Sequence, residues 1–226
     1  SFDYGINQII FADGTLWNKV DIAENVSKID DASTTIEGTP DIDVLQGGGG
    51  DDVLKGGGDT DIYRFGRGDG KDTIIDLEDN SFRNDQDMLQ FLDGIRMNDL
   101  VFVRDGASND ITIRFVENPG DEVLIQGQFS ATYTGVYGTW YQNRIDLFTF
   151  DDGTSLSHDQ FANLVLRAYS TDGDDQLYGM NREDFLDARK GNDYISGGNQ
   201  SDTYVFGRGY GQDVIEDNLT NILSTD

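Results

Sequence analysis

The sequence predicts an all-β fold in which two parallel β-rolls flank a small antiparallel β domain, with a short helix leading into each roll. Two observations predict it. A nonapeptide rich in glycine and aspartate recurs in two blocks, residues 38–64 and 170–205, and short runs of Val, Ile, Leu and Phe alternate with polar residues between them. A fixed short period is typical of a solenoid, whereas alternation punctuated by Gly, Asp and Asn is typical of antiparallel strands.

Each nonapeptide divides into a six-residue turn and a three-residue strand. Glycine adopts positive φ at no steric cost, as a tight turn requires. Two nonapeptides complete one coil, and successive coils stack at the strand spacing of about 4.8 Å. The middle residue of each strand is expected to point inward, and these residues are Leu45, Leu54, Tyr63, Leu177, Leu186, Ile195 and Tyr204.

The sixth residue of each nonapeptide is an aspartate. Alternate turns lie on the same side of a roll, so Asp43 is expected near Asp61, and Asp175 near Asp193. Two carboxylates about 5 Å apart repel each other by roughly 3 kcal/mol at an effective dielectric constant near 20. Such rows require a cation, and Ca²⁺ is favoured because it binds several oxygen ligands, including backbone carbonyls. The chain is therefore expected to fold poorly without calcium.

The composition narrows the class of protein further. The chain has 43 acidic and 16 basic residues, a formal net charge of −27 and no cysteine. The negative charge argues against nucleic acid and anionic membranes as partners, and the lack of cysteine excludes disulfides and thiolate zinc sites. No apolar run is long enough to span a membrane. This composition is typical of a protein that is exported unfolded and folds with calcium outside the cell.

A longer repeat divides the chain into units. Sixteen residues from Asp61, DIYRFGRGDGKDTIID, match DTYVFGRGYGQDVIED from Asp202, and strand–Asp-Gly-Thr–helix segments at 4–26 and 143–165 are also alike. We expect roughly one and a half copies of a larger unit, cut from a longer chain. The predicted divisions are the tail of a preceding unit (1–28), the first roll (29–76), the inter-block domain (77–168), and the second roll with its cap (169–226).

Within the inter-block domain, strands are predicted at residues 88–92, 100–104, 110–116, 122–126 and 144–150. Ser157 and Gln160 form a capping box ahead of apolar residues at helical spacing, which predicts a helix leading into the second roll. The equivalent helix ahead of the first roll is expected roughly at residues 18–26.

The nonapeptides resemble RTX (haemolysin-type) calcium-binding repeats. The segment from Phe65 through the Asp-Gly-Thr turn resembles the haemolysin-type calcium-binding related domain of large bacterial secreted proteins. The resemblance implies type I secretion, an extracellular or cell-surface location, neighbouring repeat units of a longer chain as partners, and roughly four to six bound Ca²⁺ ions. It also implies that the sixth residue donates its carboxylate and the first four donate backbone carbonyls. The implied carboxylate ligands, including terminal turns, are Asp43, Asp52, Asp61, Asp69, Asp72, Asp175, Asp184, Asp193, Asp202 and Asp213. The other implied ligands are Gly38, Pro40, Gly47, Gly48, Gly49, Gly50, Gly56, Gly57, Gly58, Asp59, Asp172, Gly173, Gly179, Asn181, Lys190, Gly191, Gly197, Gly198 and Asn199.

Several residues depart from this pattern, and the sites around residues 170–190 are expected to be the weakest. These departures are Pro40 and Asp41 in the first turn, Asp59 in place of glycine, the basic residues Arg182, Arg189 and Lys190, and Tyr210 where Asp69 stands in the first block.

The aromatic segment 129–141 leaves two interpretations open. Its rings either stack on sugars, as Tyr and Trp faces do, or cover the core of the inter-block domain. The candidate glycan-binding residues are Tyr133, Tyr137, Trp140 and Tyr141. The leading function is a structural and interaction (adhesin-like) calcium-binding module of a large secreted or surface-associated bacterial protein. The alternative is a glycan-binding module that uses this segment and tethers its parent to polysaccharide.

No catalytic motif accompanies these repeats. The only histidine, His158, is interpreted as a solvated or capping residue of the first helical turn, because no second His or Glu stands at zincin spacing. No nucleophile elbow occurs. The chain is therefore predicted not to be an enzyme.

Overall fold

The computed structural model describes residues 8–10, 14–18, 32–76, 86–130, 133–135, 138–140 and 144–217. Within these ranges the chain is built mostly of short strands, with one α-helix, α1 (His158–Ala168), and no helix long and apolar enough to cross a membrane. The strands are β1 (Gln8–Ile10), β2 (Leu16–Asn18), β3 (Thr35–Glu37), β4 (Val44–Leu45), β5 (Val53–Lys55), β6 (Ile62–Phe65), β7 (Lys71–Ile74), β8 (Met88–Phe91), β9 (Leu100–Val103), β10 (Ile111–Phe115), β11 (Glu122–Ile125), β12 (Tyr133–Gly135), β13 (Gly138–Trp140), β14 (Leu147–Phe150), β15 (Ser155–Ser157), β16 (Gln176–Tyr178), β17 (Phe185–Leu186), β18 (Tyr194–Ser196), β19 (Thr203–Tyr204) and β20 (Val214–Glu216).

Consecutive strands of the first block alternate between two parallel sheets. β3, β5 and β7 pair in one sheet, and β4 and β6 pair in the other. Thr35 lies opposite Val53, and Val44 opposite Ile62, so two nonapeptides complete one coil. The residues expected to point inward are buried, namely Leu45, Leu54 and Tyr63, together with Ile74 of the last coil.

The inter-block strands extend the two sheets of the first roll. β11 adds in parallel to β7, while β8 and β14 add in parallel beyond β6. The antiparallel pairs β9–β10, β10–β11 and β14–β15 then complete the sheets. The expected strands and antiparallel pairs are therefore present, but the predicted antiparallel β domain is corrected to a mixed extension of the two sheets, because β8, β11 and β14 also pair in parallel. Added strands satisfy the backbone groups that the edges of β6 and β7 would otherwise expose.

Aromatic rings bridge the first roll and the inter-block strands. Phe65 of β6 stacks on Phe115 of β10 with ring centroids 5.3 Å apart, and Phe91 stacks on Phe150 at 5.2 Å. One core cluster runs from Leu45 through these rings to the second block. The division of the chain at residues 28, 76 and 168 stays a prediction.

The helix α1 begins as the capping box predicts. Ser157 Oγ accepts the Gln160 N–H, and Gln160 Oε1 accepts the Ser157 N–H at 2.8 Å. The apolar face of the helix is buried, and its Phe161 ring lies parallel to Phe148 with centroids 3.9 Å apart. The helix expected at residues 18–26 falls almost wholly outside the described residues.

The second block repeats the arrangement, with β16, β18 and β20 in one parallel sheet and β17 and β19 in another. Leu177, Leu186 and Ile195 are buried, as expected, and Tyr204 is partly buried. The last coil differs from that of the first block. Phe65 and Ile74 are each 1% exposed, whereas their counterparts Phe206 and Ile215 are 53% and 40% exposed.

Candidate metal sites in the turns

The sixth-position aspartates link adjacent coils through one carboxylate oxygen each. The Asp43 N–H donates to Asp61 Oδ1, and the Asp175 N–H to Asp193 Oδ1, both at 2.8 Å, so the expected stacking of these pairs is observed. The same bond joins Thr34 to Asp52, Asp52 to Asp72, Asp184 to Asp202, and Asp193 to Asp213, at 2.8–3.1 Å. We call this set of hydrogen bonds the ladder. It fixes each carboxylate through one oxygen and leaves the second oxygen for other contacts within the turn.

Four turns share one backbone conformation, and we call them the open turns: 47–52, 56–61, 188–193 and 197–202. Their second and fourth residues take positive φ, and these residues are Gly48, Gly50, Gly57, Asp59, Arg189, Gly191, Gly198 and Gln200. This left-handed conformation explains why the repeat favours glycine at both positions. Asp59, Arg189 and Gln200 adopt it at a cost of about 1–2 kcal/mol each.

The other three turns, 38–43, 170–175 and 179–184, are closed. Their second and fourth residues do not take positive φ. Instead, the N–H of the second residue donates to the second oxygen of the aspartate, from Thr39, Thr171 and Met180 to Asp43, Asp175 and Asp184 at 2.5–2.6 Å. Protein groups therefore occupy the second oxygen of the aspartate in each closed turn.

Four carboxylates, three in open turns and one in the turn that follows them, have an oxygen without such a partner. Asp61, Asp72 and Asp193 are buried and Asp202 is partly buried, yet Oδ2 of each has no hydrogen-bond partner. A Cβ on Gly56 would collide with Asp61 Oδ2, so glycine keeps the space beside the carboxylate open. Burying an anion without a partner is costly. The residues therefore fit a hard, oxygen-binding cation such as Ca²⁺.

Burial also changes the proton affinity of these carboxylates. Desolvation, together with repulsion from neighbouring aspartates, raises the pKa of Asp61 and that of Asp72 to about 8, and the pKa of Asp202 to about 6. Hydrogen bonds from the backbone oppose the shift but do not cancel it. Without a cation, Asp61 and Asp72 retain protons near neutral pH, whereas Asp202 is mostly ionised there.

Arginine side chains occupy the closed turn 179–184. Arg182 Nε lies 2.9 Å from the buried carboxylate of Asp184. Arg104, from the loop after β9, donates to the carbonyl oxygens of Tyr178 at 2.6 Å and Gly179 at 3.0 Å. Asn181 donates to the Phe129 carbonyl at 2.8 Å. Three implied metal ligands of this turn therefore contact protein groups, in agreement with the departures noted in the sequence.

Other implied ligands lie in different surroundings. Lys190 forms an exposed ion pair with Asp172 at 2.8 Å. Asp69 lies outside the ladder and accepts the Gly66 N–H at 2.8 Å, and burial raises its pKa. Pro40 is exposed in its closed turn.

Sequence reasoning missed Asp76 and Asp87, whose carboxylates lie within 4.8 Å of that of Asp61. Asp87 carried a usable signal, because Asp87-Met88-Leu89 repeats the aspartate-to-apolar spacing of the nonapeptides. Asp76 carried no such signal, because it follows β7 at the position that Gly56 occupies after β5 in the preceding coil.

His158, interpreted from the sequence as a solvated or capping residue, is half-buried in the first turn of the helix. Its Nδ1 lies 3.1 Å from Gln128 Nε2, and burial lowers its pKa to about 4. In the aromatic segment, Phe129 is buried in the core, and Tyr133 pairs with Trp140 across the hairpin β12–β13. Residues 137 and 141 lie outside the described residues.

Comparisons with known families agree with this geometry. The model of the RTX calcium-binding nonapeptide repeat matches residues 37–71 and 169–204, the two blocks that form the parallel rolls. The chain carries RTX calcium-binding repeats. Between them, residues 110–160 of this RTX chain match the haemolysin-type calcium binding protein related domain.

A curated relative is also similar. Over 116 residues, 51% of this chain, the RTX chain is 35% identical to the iron-regulated protein FrpA of Neisseria meningitidis serogroup C. The match covers 9% of that relative.

Proposed function

We propose that this RTX chain is a calcium-folded structural and interaction module, adhesin-like and not enzymatic, of a large secreted or surface-associated bacterial protein. The observation that carries the proposal is the set of carboxylate oxygens without hydrogen-bond partners in and after the open turns, at Asp61, Asp72, Asp193 and Asp202. A chain with a net charge of −27 needs counter-charge to compact, and these oxygens are where a cation would supply it.

The location outside the cell follows from the calcium requirement. Extracellular calcium modules bind with dissociation constants of about 10⁻⁴–10⁻³ M. At a calcium concentration about tenfold higher, each independent ion contributes roughly 1.4 kcal/mol, so four open turns would contribute about 5–6 kcal/mol. That sum is comparable to the stability of a whole domain. The chain would then stay unfolded where calcium is scarce and fold after export.

The experiment compares an open with a closed turn of the second block. Asp202→Asn removes a carboxylate with an available oxygen, whereas Asp175→Asn removes one whose second oxygen accepts the Thr171 N–H. Calorimetric titration with CaCl₂ should show fewer bound ions for Asp202→Asn and the wild-type number for Asp175→Asn. Circular dichroism of the wild type should lose β structure in EDTA. A spectrum that EDTA leaves unchanged would contradict the proposal.

A second candidate function rests on the hairpin β12–β13, which brings Tyr133 and Trp140 into backbone register in a segment rich in aromatic residues. Under this alternative the chain binds polysaccharide. A glycan array with the wild type and with Trp140→Ala tests this alternative. If the wild type binds no glycan on the array, only the scaffold function remains.

A further inference from the structure

Three buried carboxylates converge where the first roll meets the inter-block strands. Asp61 ends the open turn before β6, Asp76 follows β7, and Asp87 directly precedes β8. One carboxylate oxygen of each residue lies within 4.8 Å of the others. Asp76 and Asp87 lie beyond the first stretch matched as nonapeptide repeats, which ends at residue 71. The matched repeats therefore supply one of the three carboxylates, although Asp87 keeps the aspartate-to-apolar spacing of the nonapeptides.

Each carboxylate in the cluster is held in place by one of its oxygens. Asp61 Oδ1 accepts the Asp43 N–H at 2.8 Å, and Asp87 Oδ1 accepts the Asp61 N–H at 2.7 Å. Asp76 Oδ1 accepts the hydroxyl of Tyr63 at 2.8 Å. The Tyr63 hydroxyl in turn accepts a backbone N–H from the glycine that opens the turn. The protein's own hydrogen bonds thus fix the orientation of all three groups.

The remaining oxygens indicate a ligand. Oδ2 of Asp61 and Oδ2 of Asp76 have no hydrogen-bond partner, although the two residues are 0% and 1% exposed. The charged side chains acting most strongly on them are other aspartates, including Asp43, Asp59 and Asp87. Buried polar atoms normally find partners, so two such oxygens in one cluster of carboxylates point to a cation.

We propose that Asp61, Asp76 and Asp87 form a three-carboxylate Ca²⁺ site that fastens the end of the first roll to strand β8. The site rests on the calcium binding proposed above and deepens it, because two of its ligands come from outside the repeats. Oxygens bound to one Ca²⁺ at about 2.4 Å are at most about 4.8 Å apart, a limit that the cluster meets. Mg²⁺ usually keeps several waters and binds only one or two carboxylates, so three buried carboxylates favour Ca²⁺.

The charge of the cluster predicts how tightly it binds calcium in comparison with the other calcium sites. Affinity for Ca²⁺ rises with the number of charged ligands and with the rigidity of the site. Three fixed carboxylates exceed the pair that stacked repeat turns provide. This site should therefore bind calcium more tightly than the sites of the other open turns and fill first.

Calorimetric titration of the wild type, Asp76→Asn and Asp105→Asn with CaCl₂ tests the proposal, with MgCl₂ as the comparison ion. Asp76→Asn keeps the shape of the side chain and the acceptor for Tyr63 but removes the charge. Asp105 is exposed, so Asp105→Asn controls for net charge alone. We expect the tightest Ca²⁺ ion to be weakened about a hundredfold in Asp76→Asn, with the other ions retained. Asp105→Asn should titrate like the wild type.

The outcomes of this titration distinguish the three-carboxylate site from the calcium binding proposed for the repeats. Tight binding that persists unchanged in Asp76→Asn overturns the three-carboxylate site and leaves the repeat sites standing. A wild type that binds no calcium overturns both. If Asp76→Asn does not fold in calcium, Tyr63→Phe decides instead. It removes the hydroxyl that orients Asp76, and it should weaken the tightest ion by about 10–100-fold. An unchanged titration of Tyr63→Phe refutes the site.

Discussion

Replacing Arg104 with methionine tests how the second block is held to the inter-block strands. The guanidinium donates to the carbonyl oxygens of Ser108 at 2.7 Å, Tyr178 at 2.6 Å and Gly179 at 3.0 Å. It also lies over the Phe129 ring, 5.2 Å from the centroid. Arg104 is therefore a buried cation that connects the loop after β9 to Gly179, the residue that opens the closed turn 179–184 of the second block.

The magnitude follows from the contacts that methionine cannot make. A hydrogen bond from a charged donor contributes about 1.5–3 kcal/mol, and a buried acceptor left without its donor costs about 1–3 kcal/mol. Methionine recovers part of the packing, because its length and flexibility suit an irregular gap. We expect Arg104→Met to lower the free energy of unfolding by about 3–5 kcal/mol, the cost of three carbonyl acceptors without a donor less the packing that methionine recovers.

Urea unfolding in saturating calcium measures this loss. Arg114→Met is the matched control, since Arg114 in the neighbouring strand β10 forms an exposed ion pair with Glu122 at 2.9 Å and should cost less than about 1 kcal/mol. Hydrogen exchange should accelerate around Tyr178 and Gly179 in Arg104→Met alone. Equal losses of stability in the two variants would refute the assignment of Arg104 as the connection between the blocks.

Three further predictions concern the turns and the helix. The double substitution Met180→Gly and Arg182→Gly removes the ion pair of a closed turn and places glycine at the two positions where open turns take positive φ. Calorimetry should then detect one additional bound Ca²⁺. An unchanged stoichiometry would contradict the link between positive φ at these positions and calcium binding. His158 has a pKa of about 4 when folded and about 6.5 when unfolded, so its neutral form favours folding and stability falls as the pH drops below 6.5. Between pH 7.5 and 5.5 the wild type should lose about 1 kcal/mol more than His158→Gln in calcium-saturated denaturant titrations, and parallel pH profiles would count against this effect. Gly56→Ala should cost about 1–3 kcal/mol and weaken calcium binding, because its Cβ would strike the Asp61 carboxylate and the Tyr63 hydroxyl of the same nonapeptide. Gly120→Ala is the control: its Cβ would lie in open space, so this variant should melt like the wild type.

The repeat register could be predicted from the sequence because two independent constraints coincide in each nonapeptide. Glycine stands where the backbone needs positive φ, as at Gly48 and Gly50, and an apolar residue such as Leu54 fills the core two places after Asp52. Both constraints act within nine residues, so the sequence of a single repeat is enough to predict them. Stacking of alternate turns then follows from the length of the coil.

The closed turns could be predicted only in part. Arg182 was visible as a departure from the pattern, but the partner of Gly179 is Arg104, 75 residues earlier in the chain. Likewise, the addition of β11 to β7 depends on strand pairing between distant segments, which local alternation does not encode. Asp76 was missed because it breaks the glycine pattern at the position where its carboxylate joins the cluster.

The aromatic core shared by the first roll and the inter-block strands couples the loss of calcium to the interior of the chain. Phe65 of β6 is buried and stacks on Phe115 of β10, and Asp61 stands directly before the same strand. Opening of the first roll must therefore disrupt the shared core. An ion held at Asp61 would leave only when that core opens, so the first roll would release this calcium late and in a single cooperative step.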